Sequence, residues 1–130
     1  ARGACLKEGA VATTYAHDHH NLMVLGHSRK DMLLAANQVI EIQGGMVAVA
    51  NEKRIAEIPL PVAGILSDLP LAEVANQMKE FKKALEDLGW EHHNPIMSLG
   101  TLSLPVSPAL KISDQGLIDV REGKIISLFV

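Results

Sequence analysis

Residues 46–58 of the sequence read MVAVANEKRIAEI. Two short strand-like runs, 46–50 and 54–58, are joined by the polar residues 51–53. A connection of that length is typical of a β-hairpin. Pro59 follows the second run and ends it, because proline cannot donate to a sheet ladder. The stretch therefore predicts a pair of adjacent antiparallel strands.

A first helix is predicted before the hairpin, at about 29–42. Apolar residues recur there at helical spacing, and glycines 44–45 end the segment. Ser28 precedes the segment, and Asp31 follows three positions later, which approximates a capping box.

A second helix is predicted after the hairpin, at about 70–88, and Gly89 ends it. Ser67 or Asp68 is expected to cap this helix, with Pro70 in the first turn, where backbone donors have no helical partners. One face is apolar, and lysines and acids lie opposite. The apolar face comprises Leu71, Val74, Ala75, Met78, Phe81, Leu85 and Leu88.

The remaining segments complete an α+β prediction. Residues 9–15 and 21–26 read as strands, and the apolar run 125–130 is expected to be a buried strand that closes the domain. Prolines exclude a long helix between 97 and 110, and turns are expected at 113–116 and 121–124. The fold class is therefore α+β, a mixed or antiparallel sheet layered with two main helices, in a single domain of residues 1–130.

Composition excludes several classes of protein. With 130 residues, 48% of them apolar, the chain is long enough to bury a core. The net charge of −3 argues against capture of nucleic acid, and no apolar run is long enough to span a membrane. Cys5 is the single cysteine, predicted to be an inert thiol, and it fits a reducing compartment. A cytoplasmic domain is expected. The start at Ala1 fits either a piece of a longer polypeptide or removal of the initiator methionine.

The densest polar group is His17-Asp18-His19-His20-Asn21. Imidazoles and carboxylates are ligands for zinc, iron and manganese, and neutral histidine also acts as an acid or base. An extended strand would divide these side chains between two faces, whereas a tight turn could bring them together. The spacing leaves two interpretations open, which are metal or proton chemistry and a solvated hairpin tip.

The other polar candidates favour ordinary surface positions. His92-His93 follows a helix end, where a solvated loop is the simpler interpretation than a ligand pair. His27 beside a helix start is expected to lie on the surface. Residues 44–45 lack the further glycine of a nucleotide-binding loop.

Several strings together resemble the adenine deaminase family. Residues 9–21 read GAVATTYAHDHHN, similar to a family strand followed by Ala-His-Asp-Ser-His-Asn. Asn37 with glycines 44–45, the string PLPVAGILS at 59–67, and the closing stretches LPVSP at 104–108 and KISDQGLIDV at 111–120 also look like that family. The resemblance runs from about residue 9 to the end of the chain.

The resemblance implies a metal-dependent amidohydrolase that converts adenine and water to hypoxanthine and ammonia, with manganese or iron as the metal. The family's main metal ligands lie in an upstream barrel domain, and a (β/α)8 barrel of roughly 200 residues or more does not fit in this chain. By match, His17, Asp18 and His20 are the candidate catalytic and metal-binding residues, and Asn21 is a candidate substrate-binding residue. His19 replaces the family's usual serine and is a further metal candidate.

We therefore expect the C-terminal part of an adenine deaminase, which completes or covers the active site of the upstream barrel and is inactive alone. Its expected partners are that barrel and a purine base. A second copy of the chain in a homo-oligomer is a further candidate partner. The part played by the histidines stays open between an auxiliary metal, a proton relay and contacts to the purine. Two alternatives from other classes are a structural or oligomerisation module and an independent metal-binding domain.

Overall fold

The computed structural model describes residues 6–106 and 109–129. Cys5, predicted to be an inert thiol, lies outside this range. So do Ser107 and Pro108 of the closing LPVSP string, and Val130 at the end of the predicted last strand.

The centre of the molecule is a four-stranded antiparallel sheet. Its strands are β1 (Ala10–Thr13), β2 (Met23–Gly26), β3 (Gly45–Ala50) and β4 (Lys53–Pro59), in the order β2-β1-β3-β4. The predicted hairpin is confirmed as β3 and β4, which pair antiparallel. The central strands β1 and β3 are almost wholly buried, while β2, at one edge, is only half-buried.

Among the described residues, three helices accompany this sheet: α1 (Arg29–Glu41), α2 (Leu71–Asp87) and the short α3 (Pro95–Gly100). The predicted positions of the two main helices are confirmed. Ser28 caps α1 as expected, since its Oγ accepts from the Asp31 amide. The Asp31 carboxylate instead accepts from the Glu52 amide at 2.8 Å, which ties the start of α1 to the β3–β4 turn.

The predicted cap of α2 is wrong. Pro70 occupies the N-cap position, and no side chain caps this helix end. The Ser67 hydroxyl accepts from the Leu69 amide, before the helix begins, and Asp68 lies in the same connection. The extended backbone of Pro70 thus starts the helix without a hydrogen-bonding side chain.

The two main helices cover opposite faces of the sheet. Along β3, Met46 and Ala48 pack in one core cluster with Phe81 of α2, whereas Val47 and Val49 pack in a second cluster with residues of α1. Successive side chains of a strand point to opposite faces, so this alternation places the sheet between two helical layers. It also explains why β1 and β3 are apolar at nearly every position.

Only the second half of the predicted apolar face of α2 forms core. Phe81, Leu85 and Leu88 are buried, but Leu71 is 85% exposed and Ala75 is also exposed. Leu71 and Ala75 do not belong to the core cluster that the later part of α2 forms with the sheet. Helical spacing therefore identified the correct face and overestimated the length over which it is buried.

A second sheet contains the last three strands, β5 (Leu110–Ser113), β6 (Gly116–Asp119) and β7 (Lys124–Ile126), in antiparallel order β5-β6-β7. The predicted turns at 113–116 and 121–124 connect these strands and are confirmed. The expectation of a buried final strand is wrong, because every residue of β7 is exposed and Phe129 beyond it is largely exposed. The apolar composition of this segment therefore did not predict its burial, because the described residues place no layer over it.

Within residues 6–106 and 109–129, none of the helices combines the length and the apolar character needed to cross a membrane.

Candidate functional site

Residues 16–21, here called the histidine loop, connect β1 to β2 through a tight turn. The Tyr15 amide donates to the Thr13 hydroxyl at 2.9 Å, and the His20 amide donates to the Ala16 carbonyl at 2.7 Å. Ala16 is fully buried beneath the turn. The loop is therefore folded on itself, as the tight-turn interpretation required, and its side chains do not divide between the two faces of a strand.

His17 and Asp18 form the outermost part of this loop. His17 Nε2 lies 3.2 Å from Asp18 Oδ1, and the two side chains are 59% and 77% exposed. The backbone beneath them is fixed, because the His17 amide donates to the Gly100 carbonyl at the end of α3 at 2.7 Å. An acid–base pair thus faces solvent from an anchored backbone.

His19 has a different environment, with both ring nitrogens hydrogen-bonded inside the protein. Its Nδ1 accepts from the Asn21 amide at 3.1 Å, and its Nε2 contacts the hydroxyl of the buried Ser103. Because Nδ1 accepts, the neutral ring carries its proton on Nε2 and donates to the Ser103 oxygen. These bonds occupy the lone pair that a metal would require, so His19 fits a structural position better than a ligand position.

His20 and Asn21 are exposed and complete the loop. His20 adopts a positive φ of 49° and lines a groove of about 330 Å³ beside the loop. The Asn21 amide is engaged by His19, while its side chain lies at the surface. The groove is lined by Thr14, His20, Leu22, Val39, Ile40, Gln43, Gly44, Ala63 and Gly64.

Thr14 joins three segments at the base of the groove. Its hydroxyl donates to the Gly64 carbonyl at 2.7 Å and accepts from the Gly45 amide at 2.8 Å. Its own amide donates to the Gly45 carbonyl at 3.0 Å. Thr14 thereby holds the entrance of the histidine loop against the start of β3 and the connection after β4.

Gly44 makes the close approach of these segments possible. Its φ is 118°, and a Cβ built on it would lie 2.6 Å from the Gly64 Cα. Only glycine accommodates both the conformation and the contact. Close packing therefore explains both glycines of the pair, since a Cβ on Gly44 would collide with Gly64 and a Cβ on Gly45 with the Ile58 carbonyl.

Sequence reasoning missed Thr14 and Ser103, although both fix the loop. Thr14 belongs to the matched string 9–21, and Gly64 to the matched string 59–67. The convergence of these two strings at one groove is the signal that could have identified Thr14. Ser103 had no such signal, because its contact with His19 spans 84 positions.

The described residues do not form a complete metal site. Nowhere in 6–106 and 109–129 do three or more His, Cys, Asp or Glu side chains converge in a way that could hold a metal ion. The loop itself brings together only the His17–Asp18 pair, while a closed metal site needs about four ligands. Contribution of His17, Asp18, His19 or His20 to a metal held mainly by other residues stays a prediction.

The other histidines lie on the surface, as predicted. His27 is exposed, and His92 and His93 lie in an exposed connection, where His92 Nδ1 lies 2.8 Å from the Ser98 hydroxyl oxygen. At the other end of α1 from the groove, the Lys30 ammonium hydrogen-bonds to Glu52, which raises the pKa of Lys30. That surface pair is remote from the histidine loop.

Comparison with known proteins gives a consistent family. A family model described as the adenine deaminase C-terminal domain matches residues 1–124. The chain is 59% identical over 128 residues to adenine deaminase 2 of Shouchella clausii, and 56% identical over 127 residues to an adenine deaminase of Clostridium perfringens. It is 46% identical over 129 residues to an adenine deaminase of Thermosipho melanesiensis.

These matches cover almost all of this chain and a small part of each relative. They include 98% of the chain for the first two relatives and 99% for the third, but only 22% of the length of each relative. The chain therefore spans about a fifth of the length of the curated relatives that it matches.

Proposed function

The chain belongs to the adenine deaminase C-terminal domain family, and on that premise we propose that it completes the active site of an adenine deaminase. The proposed reaction converts adenine and water to hypoxanthine and ammonia. The domain covers the mouth of an upstream amidohydrolase barrel and presents the histidine loop to it.

One observation carries this proposal. His17, Asp18 and His20 are exposed on a loop whose backbone is fixed from below by Gly100, Ala16 and the His19–Ser103 contact. A solvated hairpin tip functions without such backbone contacts. A side chain that must contact a substrate in one geometry requires a backbone that is held in place. The exposed side chains are therefore held in place for contacts beyond this domain.

Deamination needs groups that move protons, because the departing amino group leaves as ammonia. Imidazole exchanges protons in the physiological range, and both imidazole and carboxylate side chains serve as general acids and bases. We assign this part to the His17–Asp18 pair, and contacts with the purine base to His20 and Asn21 at the edge of the groove. The metal, manganese or iron, belongs in this proposal to the upstream barrel.

The test uses the full-length enzyme that carries this domain. His17→Ala and His20→Ala should each lower kcat/KM for adenine, with a loss of about 10²–10⁴-fold where the residue is a general acid or base. His27→Ala is the matched control, because His27 is an exposed histidine whose hydrogen bond to Gly9 uses only its backbone.

Circular dichroism of each variant establishes that the fold is intact. Unchanged kcat and KM in both loop variants would contradict the proposal and would assign the loop to a structural or oligomerisation module. Loss of activity in His27→Ala as well would indicate that the effect is not specific to the histidine loop.

A further inference from the structure

The second sheet carries an apolar face that its register defines. Residues directly opposite on antiparallel strands share a face, and the partners are Ile112 with Leu117 and Leu117 with Ile126. Leu110 lies two positions before Ile112 and therefore shares its face. Leu110, Ile112, Leu117 and Ile126, here called the apolar sheet face, form one continuous patch, with the oppositely charged Asp119 and Lys124 at its end.

The opposite side of the same sheet is less apolar. It carries Lys111, Ser113 and Gly116 together with Ile118 and Ile125. Ile112 on the apolar sheet face and Ile125 on the opposite side are each 63% exposed. Ile112 and Ile125 are therefore equally exposed, but Ile112 lies among apolar side chains and Ile125 lies on the more polar side.

Within the described residues, the strands of this sheet make their main contacts with one another. No residue of β5, β6 or β7 is fully buried. A small sheet needs a hydrophobic face packed against another layer to be stable. An exposed continuous apolar patch of this kind marks an interaction surface.

We propose that the apolar sheet face docks on the upstream part of the same polypeptide in the full-length enzyme. The proposal rests on the proposed function, since it takes the chain to be one domain of an adenine deaminase. The relatives extend well beyond this domain, which accounts for only 22% of their length. That remaining polypeptide is available to cover the sheet, and family similarity extends through β5 and β6.

Covalent linkage favours this occupant over a second copy of the chain. The effective concentration of a tethered surface is set by its linker and does not depend on the concentration of the enzyme. A second copy must instead be recruited from solution, and its docking then depends on concentration.

Hydrogen–deuterium exchange on the full-length enzyme tests the proposal. Ile112→Asp should reduce the protection of amides in 110–126 by about tenfold or more, because a charge on the docked face favours the undocked state. Ile125→Asp, at equal exposure on the opposite side, should change this protection far less. If Ile112→Asp prevents folding, Ile112→Ala keeps the comparison measurable, with Ile125→Ala as its control.

Equal loss of protection in the two variants would overturn the proposal. So would a full-length enzyme whose wild-type amides in 110–126 exchange as fast as an unstructured chain. Light scattering tests whether a second copy of the chain covers the face instead. If Ile112→Asp converts an oligomer to a monomer, a second copy covers the face and the proposal fails.

Adenine turnover, measured on the same samples, separates this inference from the proposed function. Protection lost only in Ile112→Asp, in an enzyme that does not deaminate adenine, would support docking and contradict the proposed activity. Deamination together with equal exchange in both variants would support the activity and overturn docking.

Discussion

At the scale of single residues, the histidine loop distinguishes its three imidazoles by what their ring nitrogens contact. His17 pairs with an exposed carboxylate, His20 faces a groove, and His19 is held at both nitrogens by the Asn21 amide and Ser103. The first two remain available to a substrate or to another domain. His19 instead fixes the loop that carries them.

We predict that His19→Ala destabilises the chain. The substitution removes both contacts and leaves the buried Ser103 hydroxyl without this partner, which costs about 1–3 kcal/mol. Urea unfolding of the 130-residue chain measures the difference. His27→Ala is the control, because its exposed ring can be removed while its backbone bond to Gly9 remains. Equal unfolding midpoints for the two variants would show that the His19 contacts add nothing to stability.

The sequence pattern identified the histidine loop but did not distinguish the structural role of His19 from the exposed positions of His17 and His20. The polar residues between two apolar runs left an extended strand and a tight turn as alternatives, and the structure has the turn. The separation of ligand-like from structural histidines depends on Ser103, which is distant in the sequence, and local pattern gives no information about such a partner.

At the scale of elements, the molecule is organised by side-chain alternation in β1 and β3, which separates the α1 core from the α2 core. The spacing of apolar residues predicted both helices and the β3–β4 hairpin, because those patterns are set by local geometry. It could not predict that Leu71 and Ala75 in the first turns of α2 are exposed, nor that the described residues leave β7 exposed. Both depend on which surfaces meet, and apolar spacing does not specify a partner.

Thr14 connects the elements that support the site, so we predict a measurable effect of Thr14→Val. The nearly isosteric change removes the hydroxyl that joins Gly45 and Gly64, and the polar groups left unpaired cost about 1–3 kcal/mol. Amide exchange in 60–67 and in the histidine loop should increase together.

The matched control for this change is Thr101→Val. The hydroxyl of Thr101, the C-cap residue of α3, donates to the Met97 carbonyl in an exposed hydrogen bond, where water can replace it. A Thr14→Val chain with the stability and exchange of the Thr101→Val chain would contradict the assignment of Thr14 as the residue that joins these segments.

At the scale of the whole molecule, the described residues form a core but bring no three metal-binding side chains together. Two buried clusters stabilise the central sheet, whereas the candidate catalytic side chains lie at the surface and the apolar sheet face is uncovered. The family assignment followed from several matched strings taken together. The contacts beyond the domain depend on surfaces that this sequence does not contain.

The lack of three converging metal-binding side chains in the described residues predicts how the chain behaves on its own. The 130-residue chain, supplied with adenine and manganese or iron, should show no deamination, because no three metal-binding side chains converge within the described residues. Adding the upstream barrel as a separate chain should restore turnover, measured as loss of adenine absorbance. His17→Ala in the added domain should abolish most of that restoration, while His27→Ala should not. Turnover by the isolated chain would mean that the histidine loop holds a whole active site. It would contradict the proposal that the upstream barrel supplies the metal and this domain supplies only the histidine loop.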